Sequence, residues 1–237
     1  LSQLTQAIGL REAIERHRNS RGKIAGSLYW QLNDVWPTVS WSTVDHAGRW
    51  KLAHHAVRHA NADQRIIWTR NPLKKGQMQV HNQSPLRLED SQLTMQWRDQ
   101  SGAIQDSKTQ AITIDAFASL DHTFEPPNAR CVLATWHWKK RGGESIDSGN
   151  QLFVRPSEIQ WPKTRIHVDQ SGDEFTVHSD HIAYAVRLTA DTDGRFSDNG
   201  FLLLPGIENA RNLTFFSSQE GAASPSLISI EDFGHFQ

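Results

Sequence analysis

The sequence predicts a mainly β protein: an α-β-α opening that belongs to an α/β domain, then two antiparallel β-sandwich modules. Three observations predict this. Helical spacing of apolar residues is confined to the first 62 residues. A single apolar strand stands between the two helices. From Gln64 onward, short β segments alternate with turn signals.

The first helix is expected over residues 3–20. Ala7, Leu10, Ala13 or Ile14, and His17 fall on one face, with Glu12, Arg16 and Arg18 on the wet side, Ser2 as N-cap and Gly22 as terminator. Glu12 and Glu15 are read as facing solvent. Ile24–Leu32 is apolar on both faces, as in a buried parallel strand. A loop rich in Asn, Asp, Pro, Ser and Gly runs from Asn33 to Arg49. Trp50, Ala53, Val57 and Ala60 then mark a second helix. A parallel strand needs partners reached by crossovers, and no second βα unit follows. The opening therefore reads as the end of a larger α/β domain whose start precedes Leu1, a residue that is not a Met.

The first β module is expected from Arg65–Arg70, Gln77–Gln83, Gln92–Arg98, Ala111–Ile114, Val132–Lys139 and Gln151–Val154. Trp97, Trp136 and Trp138 anchor its core. A boundary near Arg155–Lys163 carries Pro156 and Pro162. The second module is expected from Arg165–Val168, Glu174–His178, Ile182–Thr189, Phe201–Leu204, Asn212–Ser217 and Leu227–Ile230. The domain division is 1–62, 63–160 and 161–237.

The 237 residues carry 25 Lys+Arg and 26 Asp+Glu, a net charge of -1, which gives no basis for a nucleic-acid partner. No apolar run approaches the roughly 18 residues of a membrane span. The lone Cys131 excludes a disulfide framework and a multi-cysteine zinc site. Nine tryptophans argue against disorder at a mean hydropathy of -0.58.

The densest chemistry lies between Leu28 and Trp41. Tyr29, Trp30, Trp36 and Trp41 fall within 13 residues, with Asn33 and Asp34 where strand gives way to loop. An indole offers a flat apolar face to the C–H side of a sugar ring, and Asn and Asp offer hydrogen bonds to hydroxyls. The same tryptophans also read as core filling beneath a loop. Asp34 reads equally as a loop cap, and Trp36 equally as a partner of Trp41.

Gly26-Ser-Leu-Tyr-Trp-Gln-Leu-Asn-Asp-Val-Trp-Pro37, then Ser40-Trp-Ser42, Asp45 and Gly48-Arg-Trp-Lys51, resembles the stretch closing the catalytic barrel of β-mannosidases. These belong to glycoside hydrolase family 2, with β-galactosidases and exo-β-glucosaminidases. Gly194-Arg-Phe-Ser-Asp-Asn-Gly-Phe-Leu-Leu-Leu-Pro-Gly206 is similar to the signature of that family's last immunoglobulin-like module. The resemblance implies the tail of a TIM (β/α)8 barrel followed by two immunoglobulin-like antiparallel β-sandwiches. It implies the C-terminal part of a retaining exo-glycosidase acting on terminal β-D-mannosides, with an exo-β-glucosaminidase or β-galactosidase as the alternative sugar specificity.

The resemblance places the two catalytic glutamates on earlier barrel strands, so no catalytic residue falls in this chain and the chain alone is expected to be inactive. It maps the sugar-floor tryptophan onto Trp30, with a non-proline cis peptide to Gln31. Asn33, Asp34 and Trp36 are the other substrate-binding candidates. The expected partners are a β-mannoside or manno-oligosaccharide and the N-terminal remainder of the enzyme. No cofactor and no metal are implied. A bacterial periplasm or cytoplasm, or an animal lysosome, fits the family.

A second function class is a non-catalytic carbohydrate-binding scaffold, which requires Trp68, Trp97, Trp136 and Trp138 to be exposed. His55 and His59 share a helix face at i, i+4, but a solvated face is favoured over a zinc site there. Asp198 and Asn199 read as turn stabilisers, Lys139-Lys140-Arg141-Gly142-Gly143 as a hairpin tip, and Asn82-Gln-Ser84 and Asn212-Leu-Thr214 as sequons.

Overall fold

The computed structural model describes residues 1–237 except 21, 70–75, 128–129, 219–220, 222 and 236–237. Chain contacts divide it into two compact units. One comprises Leu1–Ile14, Gly26–His59 and Trp161–Gln237; the other comprises Glu15–Ala25 and Ala60–Gln160.

Among the described residues, the 60–160 unit is a seven-stranded antiparallel sandwich. One sheet has the order β1-β2-β5, from β1 (Gln64–Trp68), β2 (Gln77–Asn82) and β5 (Ala118–Thr123). The other has the order β4-β3-β6-β7, from β3 (Leu88–Arg98), β4 (Ile104–Ile114), β6 (Leu133–Lys139) and β7 (Ser145–Leu152). Alternation along β3 sends Leu93, Met95 and Trp97 inward, where they meet Trp136 and Trp138 of β6 in one core with Ile66 and Val80 of the facing sheet. Trp138 Nε1 donates to Ser91 Oγ at 2.8 Å, so its polar edge is satisfied in the interior.

A buried ion network crosses this unit. The Arg65 guanidinium donates to Asp147 Oδ1 at 2.9 Å and to Glu15 Oε1 at 3.2 Å. Asp147 Oδ2 also accepts the Ile66 N–H at 3.0 Å and Trp136 Nε1 at 2.9 Å. Burial lowers the pKa of Arg65, but Asp147 and Glu15 outweigh it and the value is raised. Glu15 thus corrects the solvent-facing expectation: the guanidinium in the adjacent sandwich needs a second carboxylate, and residue 15 of the helix supplies it.

The other unit holds a second sandwich. Its sheets are β12-β10-β14, from β10 (Ala183–Ala190), β12 (Phe201–Leu203) and β14 (Ile228–Glu231), and β11-β13-β9-β8. The latter comes from β8 (Ile166–Ser171), β9 (Glu174–Ser179), β11 (Gly194–Phe196) and β13 (Arg211–Ser217). Phe175, Phe196 and Phe215 pack edge to face in its core. Of the helices α1 (Ser2–Asn19) and α2 (Leu52–Ala60), Ala7, Leu52 and Ala53 share a small core with Ala185 and Phe233.

Two further expectations change, while the tryptophans expected in the core are found there. Ile24–Leu32 is not a strand. Its apolar faces and backbone require flanking strands, and no described strand pairs with it; the barrel-closing stave is therefore not seen. Trp68, Trp97, Trp136 and Trp138 are all buried, which removes the aromatic platform the scaffold reading requires. Asn82 is fully buried, and its Nδ2 donates to the Leu86 and Asp115 carbonyls, so it is no glycosylation acceptor. No helix among the described residues is long and apolar enough to cross a membrane.

Asp147→Ala strips Arg65 of its shorter ion pair and leaves the Ile66 N–H and the Trp136 Nε1–H without an acceptor. It is expected to destabilise the chain by about 3–5 kcal/mol in urea denaturation. A loss below about 1 kcal/mol would contradict the network's role.

Candidate functional site

The 26–51 segment has little regular structure, so side chains organise it. Short backbone links set the frame. Asn33 bridges Val44 in parallel and Val44 bridges Trp50 in antiparallel sense. The Lys51 N–H donates to the Thr43 carbonyl at 2.9 Å. Asp45 closes the following turn by accepting the N–H groups of Ala47 and Arg49, with Gly48 at φ +79° where a side chain would be strained.

Asp34 is the centre of this segment. Its Oδ1 accepts Ser40 Oγ at 2.6 Å and its Oδ2 accepts Ser42 Oγ at 2.5 Å; Lys51 Nζ lies 3.3 Å from Oδ2. Lys51 Nζ also donates to Ser42 Oγ at 2.6 Å. The hydroxyls of Ser40 and Ser42, reinforced by Lys51, hold the Asp34 pKa down to about 2 against the opposing effect of desolvation. The carboxylate is thus committed to the loop, and the residue is only 6% exposed. Sequence reading singled out Asp34 but gave no role to Ser40, Ser42 or Lys51, although all three stand within the quoted block.

The indoles take the opposite position. Trp30 is 74% exposed, Trp36 64% and Trp41 73%, and Asn33 is exposed beside them. Leu28, Val35 and Val39 add further apolar surface. The Trp30–Gln31 peptide is cis. The rings of Trp36 and Trp41 form no pair among the described residues. The structure therefore places Trp30, Asn33 and Trp36 on an open surface and Asp34 beneath them as a buried anchor.

The second sequence block meets this segment. Asp198 Oδ1 lies 3.0 Å from His59 Nε2. Burial raises the Asp198 pKa, but the hydrogen bond and charge of His59 outweigh it and hold the value at about 2. Asn199 accepts the Leu188 N–H at 2.9 Å and returns a hydrogen bond to the Leu188 carbonyl at 2.8 Å, so it ties the block to β10. Arg195 lies over the Trp50 ring, 4.5 Å from its centroid. His55 is buried rather than solvated, because α2 turns it toward Trp50, at a ring distance of 5.2 Å. No group of three or more His, Cys, Asp or Glu among the described residues is placed to hold a metal.

Comparison with known proteins bears on this arrangement. Residues 154–233 match the Ig_mannosidase model, an Ig-fold domain. The chain is 27% identical to the β-mannosidase of Bos taurus over 91% of its own length and 27% of that protein. It spans about a quarter of the length of this relative. Among solved structures, the β-D-mannosidase of Dictyoglomus thermophilum matches 98% of the chain and 29% of its own, at a TM-score of 0.78 and 22% identity. The exo-chitosanase of Amycolatopsis orientalis matches 98% of the chain and 33% of its own, at 0.73 and 16%. The two structures share the fold. The chain is thus similar to β-mannosidases over most of its length, and residues 154–233 match an Ig-fold domain.

Asp34 and Asp198 both have folded pKa values of about 2, below the ordinary 3.8. Their stabilisation is therefore present above pH 3.8 and is lost as pH falls toward 2. The urea midpoint is expected to fall across that window, and to fall less in Asp34→Asn/Asp198→Asn. Parallel pH profiles for the two proteins would contradict this.

Proposed function

Taking a chain that is similar to β-mannosidases over most of its length, we propose that it is the C-terminal part of a retaining exo-glycosidase that cleaves terminal β-D-mannosides. The observation that carries the reading is the 27% identity to a β-mannosidase extending over 91% of the chain. Residues 1–62 are the last helix-strand-helix of a (β/α)8 barrel, and 63–160 and 161–237 are the two sandwiches that support it. Ile24–Leu32 becomes a stave only between neighbouring strands, which supply the edge hydrogen bonds a parallel strand needs.

In this reading, Trp30 forms the floor of the subsite for the non-reducing sugar, with Asn33 and Trp36 at its rim. The exposed indole faces support the assignment, since a pyranose packs its C–H face on such a surface. Asp34 belongs to the site as the anchor that holds the loop, because its oxygens already accept from Ser40, Ser42 and Lys51. The reacting carboxyls lie outside this chain. Retention requires two of them about 5–5.5 Å apart, and Glu15 is already committed to Arg65. The fold of the exo-chitosanase, a protein solved in complex with a glucosamine derivative, favours a β-glucosaminide as the second reading.

The deciding experiment is hydrolysis of nitrophenyl β-mannoside, β-glucosaminide and β-galactoside by the full-length protein. Preference for the mannoside is expected; preference for the glucosaminide selects the second reading, and no turnover of any of them overturns both. Trp30→Ala in that enzyme is expected to raise KM by about tenfold or more, the equivalent of about 1.4 kcal/mol. The 237-residue chain alone is expected to give no turnover, and measurable hydrolysis by it would place the reacting acids here.

The exposed apolar run from Leu28 to Trp41 is also expected to make the isolated chain self-associate. Monodisperse monomers in light scattering would count against that.

A further inference from the structure

A cavity of about 290 Å³ lies between the Asp45–Lys51 turn, α2 and strands β10, β11 and β13. Its wall is rich in cations. Three of them have carboxylate partners: Arg49 Nε on Asp45 at 2.7 Å, Lys51 Nζ on Asp34 at 3.3 Å, and Arg187 Nη1 on Glu231 at 2.8 Å. Arg195 has no carboxylate partner among the described residues. Its guanidinium instead lies over two aromatic faces, 4.5 Å from the Trp50 centroid and 4.2 Å from that of Phe216. Contact through the faces holds the plane in place while the N–H edge stays available, and that edge is the fork that fits a carboxylate or phosphate.

A second, independent observation comes from the same wall. His55 is 1% exposed, and neither of its ring nitrogens has a hydrogen-bond partner among the described residues. Buried polar groups are ordinarily satisfied, so an orphaned imidazole at a cavity signals a missing acceptor or donor. Burial drives its pKa down to about 3, so the ring is neutral and carries one N–H to give.

We propose that this cavity binds a small molecule bearing an oxyanion, a carboxylate or a phosphate, with the Arg195 edge as its main partner and the His55 N–H as a second donor. The volume sits at the low end of ligand pockets, about 300–1,000 Å³, which limits the occupant to free phosphate or a single charged sugar-sized molecule. The inference rests on the geometry of this unit and holds whichever sugar the glycosidase reading selects.

The test titrates the chain by calorimetry with inorganic phosphate, with glucuronate, and with glucose as the neutral control. Saturable binding of one or both anions, and none of glucose, is expected; phosphate alone or glucuronate alone identifies the source of the oxyanion. Arg195→Gln is expected to weaken binding by about tenfold or more. Arg141→Gln, at the exposed β6–β7 hairpin tip, is expected to leave it within about twofold. Circular dichroism checks that each variant folds. If Arg195→Gln does not fold, the Arg195 Nε–Hε NMR signal of the unaltered chain is expected to shift on anion addition. No saturable binding of either anion, equal weakening by the two variants, or an unmoved Arg195 signal overturns the proposal.

Discussion

The candidate site depends on one buried carboxylate. The 31–51 segment has no continuous ladder to satisfy its backbone, and its tryptophans would gain by collapsing inward. Asp34 ties the segment together by hydrogen bonds instead. A carboxylate out of water must gather donors, and the donors it gathers come from four points along the segment: Gln31, Ser40, Ser42 and Lys51. Each hydrogen bond closes a loop, so the anchor fixes the path of the chain and leaves the indoles of Trp30, Trp36 and Trp41 on the outside. An apolar residue at position 34 would remove the reason for the fold of this segment.

The two sequence blocks, about 150 residues apart, are parts of one structural joint. Gly48-Arg-Trp-Lys51 supplies Trp50, and Gly194–Gly206 supplies the guanidinium of Arg195 over it. Arg49 reaches Asp193 at 3.7 Å, and Asp198 reaches His59. A Cβ on Gly200 would come within 3.1 Å of the Leu52 side chain, so a larger residue there would crowd α2. Motifs that read separately in the sequence touch in the fold, through a cation on an aromatic face and through paired charges.

The strands show where pattern carries information. β3, β6, β9 and β13 were legible because large apolar residues alternate along them. The first seven residues of β4 and all of β5 were missed. Ile104–Gln110 is polar on both faces because β4 ends its sheet, and β5 (ASLDHT) has few apolar residues to alternate. β7 was placed too late for a similar reason: its polar SIDSGN stretch hides Asp147, the acceptor at the centre of the buried network. In the site, the indoles stood out by composition. The donors around Asp34 did not, since serine and lysine are common and only proximity gives them a role.

By itself, the sequence determined that helices come first and antiparallel strands follow, most of the strands, the family resemblance, and the tryptophan-rich segment; the two compact units, which share the opening between them, were not legible in it. What it did determine is written in local periodicity and contiguous motifs. Tertiary structure alone decided that Glu15 and Asp147 share Arg65, that Trp68 is interior, and that His55 is buried with no hydrogen-bond partner among the described residues. It also decided that Ile24–Leu32 is not a strand. Each of these depends on what lies across a gap from the residue, and burial, ion pairing and β pairing are set by such neighbours.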